Sequence, residues 1–295
     1  MSQDLVQIKE FGDNPGKLNC FVFVPDNLTE PAPVVIALHG CSQNARMMAY
    51  QSGWTELAKK HRFIVIYPEQ GYMNNGYKCF NWFLSRHIDS LKGETYSIFE
   101  MLNYVKTNYL VDEENVYAYG LSAGAMMSVS LAVNYPESFK AVASLAGGPF
   151  KAVKNPLVAL KVMKRPREKT SEELGQLLPK PNHRLPKLIV GHGNKDNVVN
   201  IANSKNLIRQ WCYNFNLDED DYKTQDQFGN YVNVLRHSYG ETEDEIVFFE
   251  FLGLGHTLPV HPGDEINQGG KTGAYATDFG FFSTLYIAKE FGLVK

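Results

Sequence analysis

"NVYAYGLSAGAMMSVSLA", Asn115 to Ala132, decides how this chain is read. Its opening, Asn115 to Gly120, is β-rich, and the small residues from Ala123 onward have the character of a helix. Ser122 lies where one becomes the other, between Gly120 and Gly124. In a G-x-S-x-G turn of this kind the glycines leave room for the backbone, and the serine hydroxyl stands clear of the sheet at a helix N-terminus. Ser122 is then either a nucleophile on a strained turn or a small residue in a crowded connection. An acid, a base and oxyanion donors elsewhere in the chain would separate the two.

The flanking sequence repeats the strand–helix alternation. "CFVFVP" (20–25), "PVVIALHG" (33–40), "FIVIYP" (63–68), "KAVASLAG" (140–147), "PKLIVGHG" (186–193) and "EIVFFEFLG" (245–253) read as further strands. Helices are expected over 47–61, 96–109, 123–135, 201–215 and 275–291. Near-continuous apolar strands separated by helices predict a mostly parallel sheet covered on both faces, a doubly wound α/β architecture. No internal repeat or linker divides it, so residues 1–295 are expected to form a single domain. One segment, 151–186, breaks the alternation; it is basic and contains prolines. Two readings are open: a solvated surface excursion, or a small cap at the carboxyl edge of the sheet, where ligands bind in open α/β folds. The polar stretch 216–230 reads as an exposed loop.

With 44% hydrophobic and 13% aromatic residues, the 295-residue chain has ample material for a core. A net charge of −3 gives no reason to expect nucleic acid or an anionic membrane surface as a partner. No apolar run approaches the ~18 residues of a membrane span. The opening "MSQDLVQIKEFGDNPGK" lacks the basic and apolar regions of a secretory signal. A native Met1 therefore implies the cytoplasm, whereas a signal removed upstream would imply secretion or the periplasm. The oligomeric state is not legible.

The remaining parts of a hydrolytic site can be placed on the same sheet edge. In α/β folds that carry a nucleophile turn, the order along the chain is Ser, then Asp or Glu, then His. Asp196 follows the strand ending "LIVGHG", 74 residues after Ser122, and His256 follows "FFEFLGLG", another 60 residues on. Asp196 would orient His256, and His256 would take the Ser122 proton. The Ala123 N–H offers one oxyanion donor, and the Cys41 N–H, after the strand ending in His39-Gly40, offers the second. His39 reads as a loop-shaping residue, and His192 as a support for the Asp196 loop. His261 is the closest rival to His256, but it lies past the strand's end. A metal site at His256 and His261 lacks a third ligand with convincing spacing. Asp264 falls after His256, against the chain order, and Asp112 and Asp278 read as helix-start residues.

Together these motifs resemble the esterase/poly(3-hydroxybutyrate) depolymerase family of α/β-hydrolases, allied to carbohydrate esterase family one (acetylxylan and feruloyl esterases). "LHGCSQN", "YPEQ", "CFNWF", "GLSAGAMM", "HGNKDNVV" and "GLGHTLP" follow in that family's order over nearly the whole chain. Ala125, where many members carry glycine, and Phe80, where members often have tryptophan, depart from the pattern. The resemblance implies an α/β-hydrolase fold, Ser122, Asp196 and His256 as triad, and Cys41 with Ala123 as oxyanion donors. It also places Cys41 near Cys79, either as a disulfide or as independent thiols; a disulfide would imply an oxidising compartment. Trp82 is a candidate pocket wall, with core packing as the alternative.

The expectation is a serine carboxylic-ester hydrolase working through an acyl-enzyme, with no cofactor and no metal. Its substrates would be short hydroxyalkanoate esters or oligomers, with acetylated or feruloylated plant polysaccharide as the alternative. An acyltransferase or a non-catalytic binding protein on the same fold are the rivals from other classes.

Overall fold

The computed structural model describes residues 5–153, 155–179, 183–240 and 244–294. The first four residues of the leader reading, and positions 154 and 180–182 of the 151–186 segment, lie outside the described residues. The chain opens with β1 (Val6–Ile8), β2 (Asn19–Phe23) and β3 (Ala32–Leu38). Then come α1 (Ala45–Ser52), α2 (Trp54–His61), β4 (Ile64–Glu69), α3 (Ser85–Ile88), α4 (Gly93–Asn108), β5 (Val111–Leu121) and α5 (Ala123–Asn134). The middle is formed by β6 (Ala141–Leu145), α6 (Pro156–Lys164), α7 (Ser171–Gly175), β7 (Lys187–Gly193) and α8 (Ala202–Phe215). The chain closes with β8 (Lys223–Gln225), β9 (Val234–Tyr239), β10 (Ile246–Phe251), β11 (Leu258–Val260), β12 (Ala276–Asp278) and α9 (Ser283–Glu290).

Ten strands form one sheet in the order β1-β2-β4-β3-β5-β6-β7-β10-β9-β8. The six central strands, β4 to β10, are parallel, and the two at each edge run antiparallel. Alternation along each strand explains the continuous apolar runs. Val34, Ile36 and Leu38 of β3 enter one core, beneath α4, α5 and α8. Val35 and Ala37 enter the other, beneath α1, α2 and α9. A strand buried on both faces has no polar face to show in its sequence.

Three expectations are corrected. The helix expected over 47–61 is two helices, broken at Gly53 (φ 74°), where an added Cβ would fall under 3.0 Å from the Phe282 ring and the Gly270 nitrogen. The helix expected over 275–291 begins only at Ser283, because Ala276–Asp278 pairs in parallel with β11 and a turn at Gly280 (φ 69°) intervenes. Asp112 and Asp278 accordingly start no helix. Asp112 lies in β5 and accepts from Asn115 Nδ2 (2.6 Å), and Asp278 lies in β12 and accepts from the Gly280 N–H (3.1 Å).

Candidate active site

Ser122 stands between β5 and α5 with φ 55° and ψ −116°, a left-handed backbone that a non-glycine residue adopts only under strain of about 1–3 kcal/mol. The sheet holds it there: its N–H donates to the Leu145 carbonyl of neighbouring β6 (2.8 Å). The two flanking glycines allow the approach. A Cβ on Gly120 would fall under 3.0 Å from the Gly124 carbonyl, and one on Gly124 under 3.0 Å from the Leu38 and His39 carbonyls.

The strands of the sheet deliver the partners to the same edge. His256, five residues beyond β10, accepts the Ser122 hydroxyl proton at Nε2 (3.0 Å) and donates from Nδ1 to Asp196 Oδ2 (2.6 Å). Asp196, in the loop after β7, also accepts from the backbone N–H groups of Val198 (2.9 Å) and Val199 (2.8 Å) at Oδ1. His192 Nε2 lies 3.2 Å from Oδ2 and 2.8 Å from the Val199 carbonyl, while its Nδ1 meets the Ser204 hydroxyl at 2.7 Å. Burial alone would raise the Asp196 carboxyl. The hydrogen bonds from His192 and His256, the charge of His256 and the Val199 N–H outweigh it and hold the group well below the ordinary carboxylate range. These contacts favour the Asp196 carboxylate over its protonated form.

His39 is buried and serves the loop that carries Cys41. Its Nε2 accepts from the Gln70 N–H (3.1 Å), which leaves Nδ1 to donate to the Gly40 carbonyl (2.7 Å). Burial lowers its pKa to about 4, so the ring is neutral. His261 meets Asp278 (3.4 Å) and Gln268 (3.2 Å) instead of Ser122 or Asp196.

Above Ser122 opens a cleft of about 430 Å³ whose lining includes Cys41, Ala123, Trp82, Met126, Leu160 and Val199. Ala123 opens α5, where first-turn N–H groups have no intrahelical partner. Cys41 and Cys79 are joined by a disulfide that ties the two loops of this wall, and Cys20 and Cys212 are buried free thiols pushed up to about 12 by burial. Trp82 is both wall and core: buried against Phe83 (ring centroids 5.6 Å apart), it still borders the cleft. The 151–186 segment contributes Ala159, Leu160 and Met163 of α6 to the opposite lining. Sequence reading missed Asn75, Tyr77 and Met126. The first two lie in "MNNGYKC", a loop without periodicity, and Met126 looks like any core residue of α5.

Comparison with known proteins fixes the lineage. Residues 19–221 match the family model described as Esterase PHB depolymerase. The chain belongs to the esterase/PHB depolymerase family. It is 37% identical to poly(3-hydroxyalkanoate) depolymerase C of Paucimonas lemoignei, over 98% of this chain and 70% of that one. It is 28% identical to acetylxylan esterase A of Aspergillus oryzae, over 88% and 86% of the two chains. Among solved structures, the acetyl xylan esterase from Aspergillus awamori superposes with a TM-score of 0.82 at 23% identity, covering 99% of this chain and all of the other. The fold is thus that of the α/β-hydrolases, and this family member is an esterase. No helix among its described residues is long and apolar enough to cross a membrane.

Proposed function

We propose that this esterase hydrolyses short hydroxyalkanoate esters or oligomers through an acyl-enzyme on Ser122. The observation that carries the reading is the unbroken chain Ser122 Oγ–His256 Nε2–Asp196 Oδ2, at 3.0 and 2.6 Å, with Ser122 lining the cleft. Ser122 Oγ attacks the ester carbonyl carbon as its proton passes to His256 Nε2. The oxyanion forms between the backbone N–H groups of Cys41 and Ala123, at the positive end of α5. Collapse expels the alcohol, which takes the proton from His256. Water then gives a proton to His256 and attacks the acyl carbon; the acid leaves and Ser122 recovers its proton. Asp196, held as an anion, fixes the His256 tautomer and stabilises the imidazolium.

The substrate class follows from the lining. Trp82, Met126, Leu160 and Val199 favour an alkyl acyl or alcohol group over a charged one, and the name of the Paucimonas relative points to hydroxyalkanoates. In this reading the chain is one α/β-hydrolase domain and residues 151–186 are its cap, with α6 closing the cleft. A fluorophosphonate probe tests the nucleophile: wild type should be labelled at Ser122, and Ser122→Ala should lose both label and p-nitrophenyl acetate hydrolysis. Wild type that resists the probe would sink the assignment. A panel of 3-hydroxybutyrate oligomers, acetylxylan and methyl ferulate tests the substrate; higher kcat/KM on either polysaccharide-type ester would replace the hydroxyalkanoate reading.

A further inference from the structure

A second carboxylate, unused by the chemistry above, lies beneath the cleft wall. Glu94, in the first turn of α4, is fully buried. Its Oε1 accepts from Gln70 Nε2 (2.7 Å) and Asn81 Nδ2 (2.6 Å), and its Oε2 accepts from the Asn81 N–H (2.7 Å). His87 Nδ1 lies 3.5 Å from Oε1, and burial and the Arg86 charge lower the pKa of that imidazole. Arg86 Nε donates to His87 Nε2 (3.1 Å), which leaves the ring proton on Nδ1, facing Glu94. An apolar residue here would leave the buried donors of Gln70 and Asn81 unpaired, so what those two residues hold decides what Glu94 does.

Both partners lead to the site. Gln70 Nε2 also donates to the Cys79 carbonyl (3.1 Å), and the Gln70 N–H donates to His39 Nε2 (3.1 Å). His39 in turn donates to the carbonyl of Gly40, the residue before Cys41. On the other side, Asn81 Oδ1 accepts from Asn75 Nδ2 (3.0 Å), and Asn75 Oδ1 accepts from the N–H groups of Tyr77 (3.0 Å) and Cys79 (3.3 Å). Asn75, Tyr77, Cys79 and Trp82, which follows Asn81, all line the cleft. One carboxyl group thus joins the loop carrying the Cys41 donor, through Gln70, to the aromatic wall, through Asn81.

We propose that Glu94 is a positioning residue for ester hydrolysis, holding the Cys41 loop and the Asn75–Trp82 wall in register with Ser122. The proposal rests on the reading of Ser122 as nucleophile. Glu94→Gln keeps the shape but sets an amide NH₂ against the donors of Asn81 or Gln70. The variant is expected to unfold cooperatively and to accept the fluorophosphonate at Ser122. Its kcat should fall about tenfold, a fraction of the 100- to 1,000-fold that losing an oxyanion donor costs. KM should rise roughly threefold for p-nitrophenyl hexanoate, which reaches the wall, and stay within about twofold for the acetate. Folded Glu94→Gln with wild-type kcat and both wild-type KM values overturns the proposal, as does an equal rise in both KM values. Should that variant not fold, Gln70→Ala leaves the carboxylate and Asn81 in place; it should show the same split, and unchanged kinetics would again overturn the proposal. Wild type that resists the probe overturns this inference together with the nucleophile reading, whereas labelled wild type beside a kinetically unchanged variant overturns this one alone.

Discussion

The floor of the cleft and its walls are assembled by opposite means. Ser122, Asp196 and His256 stand at or just beyond the carboxyl ends of β5, β7 and β10, strands of one sheet buried on both faces. Their spacing is set by sheet register, which a side-chain change cannot slide. The walls are the irregular 70–83 segment, held by the Cys41–Cys79 disulfide and by hydrogen bonds through the side chains of Gln70, Asn75 and Glu94, and α6, whose last turn accepts from Asn203 Nδ2 at the Val162 and Met163 carbonyls. Such segments can be altered without disturbing the sheet. On the function proposed above, the chemistry would sit on the part of the molecule that resists change, and the choice of ester on the part that tolerates it.

The division is testable by asking which changes are blind to the substrate. Ser122→Ala should reduce kcat by about 10⁶-fold for every ester in the panel. Asp196→Asn should reduce it by about 10⁴-fold, through the wrong His256 tautomer, and by the same factor for acetate and hexanoate. A loss at Asp196 that varied with acyl length would mean the floor also selects substrates. Cys79→Ser attacks the wall: with Cys41 and Cys79 separated by 38 residues, opening the disulfide should destabilise the fold by about 4 kcal/mol on the loop-entropy account. Urea unfolding of the variant checks this. A wild-type denaturation midpoint would show that the rest of the wall already fixes the loop.

Legibility in the sequence divides along the same line. The grouping of Ser122, Asp196 and His256 was readable because each follows a strand that ends in a glycine-containing turn, in the order Ser, Asp, His expected along such a chain. "YGLSAG" needs its glycines for the approach to Leu38 and His39, so the demand is written locally. The walls were not readable in this way. Nothing near Glu94 in "LKGETYS" announces a carboxylate bonded to Gln70 and Asn81, 24 and 13 residues earlier. Trp82 could be assigned to wall or core but not to both, since that depends on which side of it the loop leaves open. The same limit explains the errors at 47–61 and 275–291. The helical pattern is present in both, but Gly53 is fixed by contact with Phe282 and Gly270, and 276–278 is claimed by pairing with β11.

The wall also carries a cost that the floor does not, and its pH dependence is the smallest effect expected here. Burial raises the Glu94 carboxyl from its ordinary 4.5 to about 7, against the opposing pull of hydrogen bonds from Asn81 and Gln70 and the charge of Arg86. A carboxyl with a raised pKa binds its proton more tightly in the folded chain than in the unfolded one. Its contribution to stability is thus fully present below about 4.5 and is lost as the pH rises through about 7, a change on the order of 3 kcal/mol. Glu94→Gln has no such proton to lose, while His87 and Arg86, the titratable and charged groups facing the site, remain in both proteins. Unfolding free energies measured by urea at pH 5, 6, 7 and 8 should therefore shift progressively in favour of the variant. A difference independent of pH would mean that Glu94 is as comfortable as an anion in the fold as in water. A rising one would place a carboxylate that destabilises the neutral-pH fold at the junction of both cleft walls, which is how residues kept for activity at the expense of stability are recognised.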